Sequence, residues 1–318
     1  MKTRLILYCW AYAVLLLSCE GNDTKKQRFL KKGNLKFAQT DYKNAARFYK
    51  EALKLDSGFA DAHYNLALVH KKTGNPDQSV FHLTQALQHS SQDSRYLLAR
   101  SQVYLDQKFY HQAQQDAEKA IMSDTQNAAG YLLKGIAQNS LKKYTEAANS
   151  FSLGLLQTKE DIESDNEIRS DLLSNLAAVQ LQSGDYSKAI STAEQAVTEN
   201  PKQASALNIS GMAQLYIGKY EDALDKFNQA LEIDGKSSYY NNNKGEVLLE
   251  LNRLEEALKH INYGIVYDPG NAQAYLNKAM YYWKLKDTAQ AKSLAEKSLK
   301  VSPDNQKAQR LLQKIAKQ

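Results

Sequence analysis

Cysteine and proline are almost missing from this 318-residue chain. Its two cysteines are Cys9 and Cys19, and its four prolines are Pro76, Pro201, Pro269 and Pro303. So low a cysteine count excludes a disulfide-stapled fold. So few prolines leave long stretches free to run as helix, because proline breaks helix interiors. The fold class expected is therefore all-α. An excess of one charge is also missing: 41 basic residues face 35 acidic ones, a net charge of +6. Without Lys2 and Arg4 the balance is +4, read as spread along the chain. No basic stripe interleaved with aromatics marks a nucleic-acid surface, so no nucleic-acid partner is expected.

Catalytic signatures are missing as well. There is no phosphate-cradling glycine loop, zinc-binding His-Glu motif or nucleophile elbow. Ser140 and Lys143 have the spacing of a serine–lysine pair, but they fall in a predicted turn. Four of the six histidines, His63, His70, His82 and His89, crowd into one stretch. His63 and His70 are seven apart, about 10.5 Å along a helix, too far for one ion with bonds of about 2 Å. His82 and His89 repeat that spacing, and only a cross-helix pair could bring two rings together. No catalytic residue, metal or cofactor is expected, and the chain is read as a non-enzyme.

What is present starts at the N-terminus. Lys2 and Arg4 precede an uncharged run, Leu5–Leu17, of 13 residues. That is short for a membrane span, which needs about 20, and right for a secretory leader. It ends in Leu16-Leu17-Ser18-Cys19, which resembles a bacterial lipobox. The resemblance implies removal of residues 1–18 and lipidation of Cys19. Residues 19–25, with the polar Glu20–Thr24, are then expected as a tether. Glu20 rather than aspartate follows the cysteine, which favours the outer membrane of a bacterial envelope.

The rest of the chain is periodic. Alanine recurs every 34 residues in most copies, at Ala45, Ala113, Ala147, Ala189, Ala223, Ala257 and Ala291, with Ser79 once in its place. Twelve residues earlier stand Gly33, Ala67, Ser101, Gly135, Ala177, Gly211, Gly245 and Ala279. Seven residues later stand Ala52, Ala86, Ala120, Gly154, Ala196, Ala230, Gly264 and Ser298. Small residues at these places let two amphipathic helices approach closely, while Phe29, Tyr131, Leu173, Leu207 and Tyr275 fill the gaps around them. Pro76 follows Asn75, read as a helix cap, at a first helical position where a missing N–H costs nothing.

This pattern resembles the tetratricopeptide repeat (TPR). It implies an α-α superhelical solenoid of eight helix-turn-helix copies: 26–59, 60–93, 94–127, 128–161, 170–203, 204–237, 238–271 and 272–305. An acidic insertion, 162–169, separates copies four and five, as a lengthened helix or surface loop or as a hinge or docking loop. Residues 306–318 are a capping helix, with Ala308, Leu311, Leu312 and Ile315 inward and Lys307, Arg310, Lys314 and Lys317 towards water. The seventh copy departs most, with Asn241 in place of a bulky residue and Leu254 in place of tyrosine.

In the family the first helices line a concave groove that takes protein segments. By resemblance the groove here includes Phe37, Tyr64, Asn65, Leu68, Asn175, Asn208, Tyr216, Tyr239, Asn242, Asn243, Asn277, Met280 and Trp283. Asparagines recur at the sixth place in Asn65, Asn175, Asn243 and Asn277 and suit a ladder to a peptide main chain, since an amide both donates and accepts. The lysine–asparagine clamp of chaperone-binding TPR domains is not matched, because Leu30, Leu68, Leu98 and Gln102 stand at its key places. The function expected is a lipid-anchored envelope scaffold or adaptor that holds protein partners in the groove, in an assembly, secretion or cell-wall complex. The alternative is a binding factor for a glycan. Membrane contact is expected through the lipid alone.

Overall fold

The computed structural model describes residues 21–159 and 163–317. The leader and Cys19 lie outside them. In order, the helices are α1 (Asn22–Ala38), α2 (Tyr42–Leu55), α3 (Ala60–Lys72), α4 (Pro76–His89), α5 (Ser94–Asp106), α6 (Tyr110–Ser123), α7 (Ala128–Ser140), α8 (Tyr144–Leu155) and α9 (Glu163–Gln182). There follow α10 (Tyr186–Glu199), α11 (Ala204–Tyr216), α12 (Tyr220–Ile233), α13 (Ser238–Glu250), α14 (Leu254–Tyr267), α15 (Ala272–Lys284), α16 (Thr288–Val301) and α17 (Gln306–Ile315). No strand occurs among the described residues. Two compact units, divided between Lys143 and Tyr144, partition the chain.

Within each unit, helices pack on their neighbours in sequence, and first helices also touch first helices of the next copy. In the first unit α1 meets α3 and α5 meets α7; in the second, α9, α11, α13, α15 and α17 meet in series. First helices therefore form the inner face of each unit.

The turn inside each copy closes one way. Its fifteenth residue has positive φ: Gly74, Gly184 and Gly218 adopt it freely, and Thr40, Lys108, Lys142, Asn252 and Lys286 adopt it with φ of 56–63°. The next N–H then reaches back to a helix carbonyl, as Asn75 does to His70, Lys219 to Gln214 and Arg253 to Leu248. That bond satisfies carbonyls the helix end leaves orphaned.

Helix contact inside a copy depends on a volume exchange between its eighth and twenty-fourth places. A methyl added at Gly33 would collide with the ring of Tyr49. One at Gly211 would stand 2.8 Å from the ring of Phe227, and one at Gly245 2.5 Å from Ile261. Where the eighth residue is Ala177 or Ala279, the twenty-fourth shrinks to Ala193 or Ala295, all fully buried. The hydroxyl exceptions are satisfied: Ser79 donates to the Ala67 carbonyl and Ser101 to that of Ala113.

Three expectations change in detail. The stretch expected as a tether is partly helical, because α1 begins at Asn22. The Gly21 carbonyl accepts the Lys25 N–H, and the Lys26 ammonium bridges Asp23 and Asp56 at 2.8 and 2.6 Å, pinning that first turn to the end of α2. Of the acidic insertion, Glu163–Arg169 prolongs α9. Arg169 fixes it by donating to Glu199 at 2.9 Å and Thr158 at 3.0 Å. Asn75 stands at the start of α4 but does not cap it with its side chain, which turns back to Thr73. The seventh copy keeps its form: Asn241 is buried, donating to the Gly235 and Ser237 carbonyls and bonded to His260, while Leu254 packs on the adjoining core.

The volume exchange is testable by a double-mutant cycle. Gly211→Ala should destabilise the chain by about 1–3 kcal/mol through overpacking, and Phe227→Ala by about 3–5 kcal/mol through a cavity. The double variant, which recreates the Ala–Ala pairs of other copies, should cost less than the sum of the two. Chemical denaturation measures all three, and strict additivity would refute the pairing.

Candidate functional site

The last copies build a concavity on their inner face. A cavity of about 280 Å³ lies between α13, α15 and α17. Leu249, Leu276, Met280, Trp283 and Leu311 give it an apolar floor. Glu246 and Glu250 form an acidic wall, and Lys284, Lys307, Arg310 and Lys314 a basic one. Lys307 crosses between them, 3.4 Å from Glu246 and 5.8 Å from the centre of the Tyr216 ring. Burial lowers the Lys307 pKa, but Glu246, Tyr216 and Glu250 together hold the ammonium above its ordinary value.

Behind this wall runs a line of amides. Gln273 donates to Asn277 (3.2 Å), Asn277 to Asn242 (3.0 Å), Asn242 to Asn243 (3.5 Å) and Asn243 to Asn208 (2.8 Å). These residues sit on three successive first helices, α11, α13 and α15. The geometry puts the expected ladder to another use. Asn242 and Asn277 are 1% and 3% exposed and spend their amides on each other. In the first unit Asn65 donates to Asn34, which also accepts from the Tyr49 hydroxyl. Asn175 bonds the Asp171 carbonyl of its own helix.

Of the groove residues named from sequence, Asn277, Met280 and Trp283 line the cavity and Tyr216 borders it through Lys307. Tyr239 is 65% exposed and does not line it. Phe37 packs edge-on against Tyr42 in the first copy's core, and Tyr64 lies 5.1 Å from Tyr96. Leu68 is half-buried on α3. Sequence reasoning missed the basic wall, since Lys307, Arg310 and Lys314 were assigned to open water. Their spacing of three, four and seven was the available signal, because it puts all three on one helix face.

The histidine cluster makes a cross-helix hydrogen bond. His63 Nδ1 and His82 Nδ1 are 3.0 Å apart, and His63 Nε2 is 3.0 Å from the Ser57 carbonyl. A carbonyl only accepts, so His63 carries its proton on Nε2 and His82 donates from Nδ1. His70 stacks on the other side of His82, with ring centres 5.4 Å apart. No group of three or more metal-ligating side chains occurs among the described residues. Ser140 donates to the Ile136 carbonyl of its own helix at 2.9 Å.

Models of the tetratricopeptide repeat match residues 36–103, 98–158 together with 175–238, and 272–305. The chain belongs to the tetratricopeptide-repeat family. Among solved structures, the TPR chain is similar to the APC/C hetero-tetramer Cut9–Hcn1, with a TM-score of 0.68 and 16% identity. That match covers 95% of this chain, which spans only 57% of the other. It is also similar to PilF of Pseudomonas aeruginosa, with a TM-score of 0.50, 18% identity, and 82% and 100% of the two chains covered. YrrB, a TPR protein with an unusual peptide-binding site, aligns at a TM-score of 0.43 and 21% identity over 60% of this chain and 95% of its own. At these identities the likeness is one of fold. No curated protein matches. The fold is thus an all-α TPR solenoid.

Burial pushes His82 down to about 4 and lowers His63 and His70 as well. In the unfolded chain these groups titrate near 6.5. The neutral cluster therefore stabilises the fold fully above pH 6.5 and loses that contribution as pH falls towards 4. Thermal unfolding at pH 7 and pH 5 should show a smaller acid-induced drop for His82→Gln than for wild type. Parallel drops would refute this assignment.

Proposed function

We propose that this TPR scaffold is a lipid-anchored adaptor of a bacterial envelope, holding a protein partner against α13, α15 and α17. The observation that carries the reading is the cavity's combination of an apolar floor with facing acidic and basic walls. Such a surface takes one or two bulky side chains of a partner segment and fixes its direction by charge, since charged rims contribute orientation more than affinity. Trp283 and Met280 supply the anchoring contacts, as aromatic residues at interface centres usually do. The buried amides bond one another, which disfavours the rival glycan site, because sugar recognition needs free planar donors and acceptors. The role is binding, with no catalytic step. Its setting is an assembly, secretion or cell-wall complex at the outer membrane, reached through acylated Cys19.

Two experiments test the halves of this proposal. In a cross-linked pull-down from bacterial membranes, Met280→Ala/Trp283→Ala/Arg310→Glu should lose specific partners that the wild type retains, at unchanged helicity. Recovery of the same partners from both would move binding away from this cavity. For the anchor, wild type should incorporate labelled palmitate and Cys19→Ser should not. Label persisting in the variant would exclude Cys19 as the acylated residue.

A further inference from the structure

Positive charge is far from evenly spread, contrary to the sequence expectation. From Asn22 to Asp56, ten lysines and arginines face four carboxylates, whereas residues 57–318 hold 29 basic against 30 acidic residues. The excess of positive charge thus sits between Asn22 and Asp56. On α1, Lys25, Phe29, Lys32 and Lys36 recur at steps of three and four, which places them on one face. On α2, Lys43, Arg47, Lys50 and Lys54 do the same.

The two stripes converge on a pair of rings. Phe29 and Phe48 stack with centres 6.4 Å apart. The Lys32 ammonium lies 5.9 Å and the Arg47 guanidinium 4.8 Å from the Phe48 ring. Lys36 and Lys54 have carboxylate neighbours in Asp41 and Glu51. Lys25, Lys32, Lys43, Arg47 and Lys50 are exposed and take no part in an ion pair among the described residues. In most later copies the residue matching Phe29 is buried, as in Leu97, Leu173, Leu207 and Tyr275, with Tyr131 half-buried. Phe29 precedes every other copy in the chain and is only half-buried.

We propose that α1 and the outward face of α2 form a docking surface for an anionic phospholipid bilayer. For its placement at the membrane this rests on the Cys19 anchor. Asn22 is three positions after Cys19, so α1 starts within about 11 Å of the acylated residue. That distance is comparable with the Debye length of about 8 Å at physiological salt, so the first cations of α1 start where headgroup charge is felt, and a helix laid flat brings the others there. Exposed lysines and arginines near a negatively charged leaflet each add to the attraction. The acyl chains would supply attachment, and the basic stripes would lay the first copy against the lipid surface. Membrane contact then involves protein as well as lipid.

The test uses the chain from residue 19 onward with Cys19→Ser, which keeps every described residue and carries no acyl group. Its co-sedimentation is measured with phosphatidylcholine vesicles and with vesicles containing roughly one-third phosphatidylglycerol, an anionic lipid. Binding to the anionic vesicles should be at least about tenfold tighter at low salt and should weaken as salt rises. Lys25→Glu/Lys32→Glu/Arg47→Glu should abolish that difference at unchanged helicity, while Lys202→Glu/Lys236→Glu/Lys286→Glu should keep it. Equal binding to both vesicles, retention in the first variant, or equal loss in the second would overturn the proposal. So would tighter binding to duplex DNA than to anionic vesicles at the same salt. Because no acyl chain is present, failure here counts against the basic surface alone, and palmitate labelling separately decides the anchor.

Discussion

Two helices of one copy can pack only as closely as the side chains between them permit, and the rest of this structure depends on that distance. The constraint acts through the small residue at the eighth place. Gly33 faces Tyr49, Gly211 faces Phe227 and Gly245 faces Ile261, while alanine faces alanine at Ala177–Ala193 and Ala279–Ala295. Because interiors pack about as densely as organic crystals, glycine or alanine at the eighth place leaves room for whatever stands opposite, Leu83 against Ala67 included, and keeps the two helices close. A steady gap gives each copy a similar shape, and similar shapes stack. Alignment of α13 and α15 at the cavity therefore begins with glycine and alanine residues that do not line it.

On that frame, polar side chains serve structure more often than their sequence positions advertise. Asn242 and Asn277 are buried between first helices, and Asn241 fills a core position by bonding two carbonyls and His260. Arg169 ties the lengthened start of α9 to Glu199 and Thr158. The side chains left to define the concavity are long and flexible, or large and apolar: Lys307, Arg310, Met280 and Trp283. An unpaired buried polar group costs more than a pair contributes, and Asn241, Asn242, Asn277 and Arg169 are each paired.

Most of the fold was legible because its information is periodic. Small residues at fixed offsets revealed the copies, and the turns fell where glycine or another residue adopts positive φ. Departures were harder to place. Asn22–Lys25 looked like a polar tether, yet Lys26 reaches both Asp23 and Asp56, a contact that only the folded copy creates. Residues 163–169 were readable as helix or loop until Arg169 had partners. The candidate site was legible in part. Met280 and Trp283 were found from the groove register, but the basic wall was not, because α17 was read as a lid with a wet side. Which side of a terminal helix faces a cavity depends on its docking angle, and composition does not encode that angle.

The row of amides from Gln273 to Asn208 has a direction. Each side chain gives its N–H to the next and takes one from behind, so the five dipoles point head to tail across three copies. Aligned hydrogen bonds polarise one another, and reversing any interior amide would turn both of its bonds into clashes of like atoms. A solenoid usually frays from its end, one copy at a time, because each copy touches only its neighbours. Here the last copies share one polarised thread, so loosening α15 unpairs Asn242 of α13 and weakens the bond that Asn243 makes to Asn208 of α11. The C-terminal end of the molecule should open as a block, and the wall of its cavity is held by that same block.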